Sequence, residues 1–389
     1  MQLLSTARPR PGVCSQLNVQ RSTFNFGFIL DVAEHNIMLM SSLPGIANLD
    51  AISDSATCSA YSKILELGAF VLTDSKPKNL VYARLLGCLI FYAPSSDARL
   101  AIALEVLSCK DNEALLLSGK IYCDYYIYAC KRIPVHIALD RPGQLLTVKK
   151  RKCRTPSFTS WLSCDGFIAR AGVEMPVEEP RTHREAKRNA LIRDGYLCVV
   201  SGYYDSFCVD NNVELQKIVD AELQAVTETN CTHIFSESTH VARANHKFSS
   251  VWTIMDQFGY PNIRSNLKGT RIHRLQNVLT LSVEMRAKFN SLKLWFEAID
   301  KPNTYIVAAP HKRYLFPYFE RIVTFTTPDE NRLPLPSPEY LEIHASCAKA
   351  AHFSGAGAYI DNIIDEAEDT ATLAEDSAFA EVLEYSLLQ

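Results

Sequence analysis

His233 is the residue of this sequence whose type most directly suggests chemistry, and it lies in the run Cys231-Thr232-His233-Ile234-Phe235. An imidazole that is neutral near pH 7 can take a proton from water, which makes this histidine a candidate general base. Its surroundings are basic, because residues 231–297 hold 9 Lys and Arg against 4 Asp and Glu. A net charge of +5 over this stretch is typical of a surface that faces the phosphates of nucleic acid, although the whole chain carries a net charge of −3.

Three elements must position this histidine. The run around it predicts a short strand, and Gln276-Asn277-Val278-Leu279-Thr280-Leu281 predicts a second strand. Spacings of four, three and four residues then predict one apolar face of a helix, formed by Met285, Phe289, Leu292 and Phe296. The pattern is therefore a strand that carries a histidine, then a strand, then a helix.

Two further elements are predicted upstream of this group. A helix-forming run covers residues 184–194 and ends at Gly195, the residue type that most readily adopts the left-handed conformation after a helix. Residues 196–202 then predict a short strand that runs into a turn.

Four groups of residues, taken in order, resemble the fungal branch of the HNH nuclease domain. They are the block 193–202, the tripeptide Thr232-His233-Ile234, the residue Asn277, and the run Leu294-Trp295-Phe296-Glu297. The run 351–357 and the acidic C-terminus also resemble the last part of those fungal proteins, so the similarity covers roughly residues 120–370. The resemblance implies an α+β fold in which two strands and a helix, a ββα-metal unit, surround one divalent cation.

The resemblance also implies a function, the hydrolysis of phosphodiester bonds in nucleic acid, with DNA favoured over RNA. In that scheme His233 is the general base, and Asn277 orients its imidazole. The implied cofactor is Mg²⁺ or Mn²⁺, which stabilises negative charge on the phosphate and on the departing oxygen. His233 and Asn277 are therefore the expected catalytic residues.

The sequence departs from the family at two positions that would hold the cation. The family places its last histidine nine residues after the asparagine, where this chain has Arg286, and Thr232 stands where many members have an aspartate or a histidine. A guanidinium stays protonated and has no lone pair to donate to a metal. The metal ligands are thus left open, and the conceivable members of an alternative set are His240, His246, His273 and Glu284.

Two interpretations of these differences from the family remain. In the first, Arg286 and Lys288 bind the phosphate, and the charge of Arg286 partly replaces that of the cation, so that weak or metal-independent cleavage survives. In the second, the domain is a catalytically inactive module that binds nucleic acid or a protein. A protein partner that docks on the N-terminal helices is a further hypothesis.

Composition divides the 389 residues into six parts. They are a disordered arm (1–26), a mainly helical region (27–135), a basic linker with short strands (136–183), the nuclease-like domain (184–300), an extension packed on it (301–358) and an acidic tail (359–389). Within the helical region, helices are predicted over 79–93, 97–107 and 112–132. The tail has 9 acidic and no basic residues from 361 onward, which predicts disorder, with a short amphipathic helix as the alternative.

The remaining features concern the compartment and the class of protein. The basic run Lys149-Lys150-Arg151-Lys152-Cys153-Arg154 is typical of nuclear-localisation or phosphate-contacting segments, and equally of a solvated linker. The twelve cysteines include no Cys-x-x-Cys pair, which argues against zinc ribbons and disulfide scaffolds and predicts buried thiols in an intracellular protein. The longest apolar run, residues 85–93, is far shorter than the roughly 20 residues of a spanning helix, so no membrane partner is expected.

Overall fold

The fold is α+β, because helices make up most of the described residues and the strands among them form three small sheets. The computed structural model describes residues 54–72, 76–131, 176–236, 251–318 and 320–373, with side chains described as far as residue 365. All of these residues belong to one compact unit. The predicted arm, the basic run 149–154, His240 and His246 lie outside the described residues.

The described part of the N-terminal region has four helices, namely α1 (Ser55–Val71), α2 (Pro77–Phe91), α3 (Ser96–Ser108) and α4 (Asn112–Ile121). The last of them continues through the π-helical turn Tyr122–Ile127 and the short helix Tyr128–Cys130. The helices predicted from the sequence are thus confirmed to within two residues at each end. Tyr122 and Tyr126 are buried, so the tyrosines of this helix contribute to the core.

The middle of the chain begins with α5 (His183–Arg193), where a capping box between Thr182 and Glu185 satisfies the first amides. After this helix Gly195 and Tyr196 both have a positive φ. The strand predicted over 196–202 is therefore wrong, because two consecutive left-handed residues turn the backbone instead of extending it.

Asp205 connects this turn to the strand that carries His233. It lies in β1 (Tyr204–Asp205), which pairs in parallel with β2 (Val226–Thr227), and α6 (Ser206–Asn211) and α7 (Val213–Glu222) lie between these strands. The buried carboxylate of Asp205 accepts hydrogen bonds from the amide and the hydroxyl of Thr229, at 3.1 and 2.6 Å. The first residue of the next strand is thereby held in place.

A two-stranded antiparallel sheet forms the centre of the predicted strand–strand–helix unit. It pairs β3 (Thr229–His233) with β4 (Val278–Ser282), and His233 lies opposite Val278. The described part of the connection holds α8 (Val251–Gln257), α9 (Asn262–Asn266) and the 3-10 turns Gly269–His273 and Leu275–Asn277. Both strands are confirmed.

The helix that follows is α10 (Val283–Asn290), which begins directly after β4, where Ser282 accepts a hydrogen bond from the amide of Met285. It is confirmed only as far as Asn290. The prediction that it continues through Phe296 is wrong, because Leu292 has a φ of 60° and the chain then extends into β5 (Trp295–Ala298). The apolar residues of the pattern are buried all the same.

Helices cover both faces of the β3–β4 sheet. Alternate residues of a strand point to opposite faces. On one face Cys231 and Val278 pack with Ala186 and Ala190 of α5, and on the other face the strands pack against α10, where Met285 is buried. The sheet therefore holds the N-terminus of α5 at one of its surfaces.

The C-terminal part is a three-stranded antiparallel sheet and two helices. The sheet has the order β5, β6 (Thr304–Ala308) and β7 (Ile322–Thr324), and the helices are α11 (Pro338–Ser354) and α12 (Ala356–Leu373). His344 of α11 stacks on Phe289 of α10, with the ring centroids 3.7 Å apart. Since α11 also packs against α2, it joins the N-terminal helices to the strand–strand–helix unit.

The described part of the predicted acidic tail is helical as far as Leu373, so disorder is the wrong prediction for 359–373. Residues 374–389 lie outside the described part. Among the described residues, nine cysteines form no disulfide, and seven of them are buried. None of the described helices combines the length and the apolar character that crossing a lipid bilayer requires.

Arg193, at the end of α5, connects this helix to the start of β4 by hydrogen bonds. Its guanidinium is 2% exposed, binds both carboxylate oxygens of Asp194 at 2.7 and 2.9 Å, and donates to the carbonyls of Leu275 and Val278, each at 2.8 Å. The position of α5 on the sheet depends on this group.

Replacing Arg193 with methionine is expected to lower the free energy of unfolding by about 3–5 kcal/mol, because it leaves a buried carboxylate and buried carbonyls without their partner. Thermal unfolding followed by circular dichroism measures the effect. The matched control is Arg332→Met, since the Arg332–Asp329 pair is exposed and 3.9 Å long and contributes about 0–1 kcal/mol. Equal shifts of the two midpoints would contradict the role given to Arg193.

Candidate functional site

His233 ends β3 and is 9% exposed. Its Nε2 lies 3.0 Å from Nδ1 of His273, and the two ring centroids are 5.1 Å apart. Which ring donates depends on the tautomers. His273 belongs to the 3-10 turn that precedes β4, so the structure brings together two histidines that are forty residues apart in the sequence.

Asn277 is fully buried, and its side chain forms hydrogen bonds with the backbone near each histidine of this pair. Its Oδ1 accepts a hydrogen bond from the amide of Phe235 at 2.8 Å, and its Nδ2 donates to the carbonyls of Phe235 and Ile272, each at 2.9 Å. Both amide hydrogens are therefore used by the backbone, and neither can orient the imidazole as predicted. Asn277 instead holds the backbone at Phe235, two residues after His233, and at Ile272, directly before His273.

Arg286, on α10, donates from Nη1 to Oδ1 of Asn230 at 3.0 Å. Asn230 is one residue from Cys231 in β3, so its side chain leaves the strand on the opposite face from those of Cys231 and His233. The charge of Arg286 nevertheless reaches the site, because it helps to lower the pKa of His183.

Lys288, the second predicted phosphate-binding residue, forms an ion pair with Glu284 one turn earlier on α10. Glu284 is exposed at its side chain, and it was one of the conceivable metal ligands. The structure therefore places these two residues against each other on the surface of the helix.

The divalent cation implied by the resemblance does not fit the residues at its expected positions. Arg286 offers only donors there, and the hydroxyl of Thr232 is buried, with no hydrogen-bond partner among the described residues. Mg²⁺ requires oxygen ligands in a nearly octahedral arrangement, whereas the described groups nearest to His233 are imidazoles and a thiol. The residues around His233 are therefore a poor match for Mg²⁺ or Mn²⁺.

A different group of possible ligands does surround His233. One ligand atom from each of His183, Cys231 and His233 lies within 4.8 Å of the other two. His183 is the exposed first residue of α5, and Cys231 is buried two residues before His233 on the same face of β3. His183 and Cys231 are not predictable from the sequence, because they meet through a contact between α5 and β3, which lie almost fifty residues apart.

The electrostatics of this group favour a neutral imidazole at His183. Desolvation of the part of the ring that faces β3 lowers the pKa of His183, and the positive charges of Arg286 and Lys187, with that of His273 when its ring is protonated, lower it further. A hydrogen bond to the backbone of Cys231 acts in the opposite direction without reversing the shift. A neutral imidazole keeps a lone pair for a proton or a metal ion.

Comparison with known proteins adds no relative, since no protein-family model, no curated protein and no solved structure matches this chain.

Proposed function

We propose that this chain binds nucleic acid around His233 and hydrolyses its phosphodiester bonds, DNA in preference to RNA, with His233 as the general base. The observation that supports the proposal is the order of elements at the site. His233 ends a strand that is paired with the strand after Asn277, and α10 with Arg286 follows without a loop. This is the order of strand, strand and helix that the HNH resemblance implies.

In the proposed reaction, a water molecule gives a proton to a ring nitrogen of His233 while its oxygen forms a bond to phosphorus. The bond between phosphorus and the leaving oxygen breaks, and that oxygen takes a proton from solvent. His273 stabilises the imidazolium in the tautomer where Nε2 of His233 carries a proton, because Nδ1 of His273 then accepts a hydrogen bond from a charged donor.

Arg286 is the proposed source of positive charge for the phosphate. A guanidinium has five N–H donors, and the contact with Asn230 accounts for one hydrogen bond from Nη1. From the Asn230 side of the strand its positive charge reaches the site, as its effect on the pKa of His183 shows, and this charge can stabilise the negative charge that develops on the phosphate during attack. Since this charge comes from the protein, slow cleavage is expected to persist when divalent cations are removed.

Incubation of the full chain with supercoiled plasmid, in EDTA and in Mg²⁺ or Mn²⁺, tests this function. We expect slow conversion to the nicked form under all three conditions. Plasmid that stays intact in every condition, with a catalytic excess of protein, would overturn the hydrolytic proposal.

Nucleic-acid binding without cleavage is the second candidate, and the contact between Arg286 and Asn230 favours it, because a guanidinium held by the protein occupies the position of a metal ligand. We expect affinity for duplex DNA that falls steeply as salt rises, with a smaller salt slope in Arg286→Ala than in the exposed control Arg332→Ala. Intact plasmid together with such binding would select this candidate, and no binding at low salt would contradict both.

A further inference from the structure

The group formed by His183, Cys231 and His233 has the composition of a zinc site. Imidazole nitrogen and thiolate sulfur are the ligands that Zn²⁺ prefers, and a set of three protein ligands leaves one position for water. The three side chains come from two elements, the start of α5 and the end of β3. The absence of Cys-x-x-Cys pairs excludes a zinc ribbon and has no bearing on a site assembled from separate segments.

We propose that His183, Cys231 and His233 bind one zinc ion. Tetrahedral zinc, with bonds of about 2.0–2.1 Å to nitrogen and about 2.3 Å to sulfur, places its ligand atoms roughly 3.3–3.6 Å apart. The ligand atoms of the group lie within 4.8 Å of one another. Binding of zinc therefore requires the ligand atoms to approach one another by no more than about 1.5 Å.

The surroundings of the group suit a bound ion. His183 is exposed, so solvent and ions reach the site from the N-terminus of α5. Cys231 is buried, which holds its sulfur in one position. His273 contacts the ring of His233 at 3.0 Å, in the manner of the outer partners that orient metal-bound imidazoles.

The positively charged residues near the site oppose the binding of a cation. The charge of the ligands therefore decides whether zinc binding is favourable. Arg286, Lys187 and His273 all act on His183. Coordination removes the proton of the Cys231 thiol, and the thiolate then cancels one of the two charges of zinc. The charged groups that act on His183 lower its pKa and so oppose a cation, which favours a metal that binds thiolate over Mg²⁺ or Ca²⁺.

Zinc at this site would regulate the proposed function. Zinc takes a lone pair of His233, and a histidine bound to metal cannot accept a proton from water. Bound zinc therefore blocks the hydrolysis. This consequence depends on the proposed function, whereas zinc binding itself does not.

Cobalt binding to the metal-free full chain tests the proposal, because tetrahedral Co²⁺ reports its ligands by absorption. We expect the visible bands of tetrahedral cobalt and a near-ultraviolet thiolate band, which zinc then displaces. Cys231→Ala should lose the thiolate band, and His183→Ala, at an exposed position, should weaken zinc binding in a chelator competition by more than the roughly 10- to 100-fold that an outer partner contributes.

Cys208→Ala and His311→Ala are the matched controls, since Cys208 is buried outside the group and His311 belongs to another part of the fold. Both should bind cobalt like the wild type. Equal thiolate bands and zinc affinities in all four variants and the wild type would overturn the zinc site. Cobalt binding of the expected kind in a chain that cuts no DNA would leave the zinc site standing and reject the hydrolysis alone.

Discussion

His233→Ala is expected to lower the rate of plasmid nicking by about 10²–10⁴-fold, the range that a positioned general base contributes. The reason is that the variant removes the ring that ends β3 and contacts His273 at 3.0 Å, and with it the base that the proposal positions beside the attacking water. Single-turnover nicking with protein in excess over plasmid measures the rate. The loss should be the same in EDTA and in Mg²⁺, because the proposed chemistry takes its positive charge from Arg286.

His311→Ala is the control for this variant. His311 is a partly exposed histidine whose neighbours are Tyr314 and His352, away from the β3–β4 sheet. It should nick plasmid at the wild-type rate. A His233→Ala chain that folds normally and still nicks at the rate of His311→Ala would show that the activity comes from another site.

Asn277→Ala is expected to lower the free energy of unfolding by about 3 kcal/mol or more. Its amide makes three hydrogen bonds to the backbone at a fully buried position. Each buried backbone group that loses its partner costs about 1–3 kcal/mol. Thermal unfolding measures the loss, and hydrogen exchange at the amide of Phe235 should speed up at the same time.

Two further variants sharpen this prediction. Asn211→Ala removes a single exposed hydrogen bond, to the carbonyl of Phe207, and should change stability by no more than about 0.5 kcal/mol. Asn277→Asp keeps the acceptor for Phe235 but turns a carboxylate oxygen toward two carbonyls, so burial raises the pKa of the introduced aspartate. Its destabilisation should therefore shrink as the pH falls, and a pH-independent effect would contradict the buried donor role.

The sequence was sufficient to predict the strand–strand–helix order, because each element is a short apolar run whose period is visible locally. The predictions of both strands and of the start of α10 are correct for this reason. The sequence could not reveal where the helix ends, since Leu292 is an apolar residue in phase with the helical pattern. The tertiary structure sets the left-handed backbone of Leu292, because Trp295 belongs to β5 and not to the helix.

The candidate site was predicted only in part. The backbone at Asn277 lies beside that of the residue after His233, since the amide of Ile234 donates to the carbonyl of Asn277 at 2.8 Å, but the roles of the side chains required the structure. A buried amide that bonds to two backbone carbonyls looks the same in the sequence as one that faces an imidazole. His183 was missed because its contact with β3 depends on how α5 packs on the sheet, which Arg193 fixes through residues far along the chain.

The most direct test of His233 as the proton acceptor is chemical rescue of His233→Ala by imidazole in the plasmid assay. A small base that enters the space left by the side chain can take the proton from water, whereas it cannot repair a structural defect. The account predicts that nicking by this variant rises with imidazole concentration and that nicking by the wild type does not. No rescue in a folded variant, or equal stimulation of both chains, would contradict it.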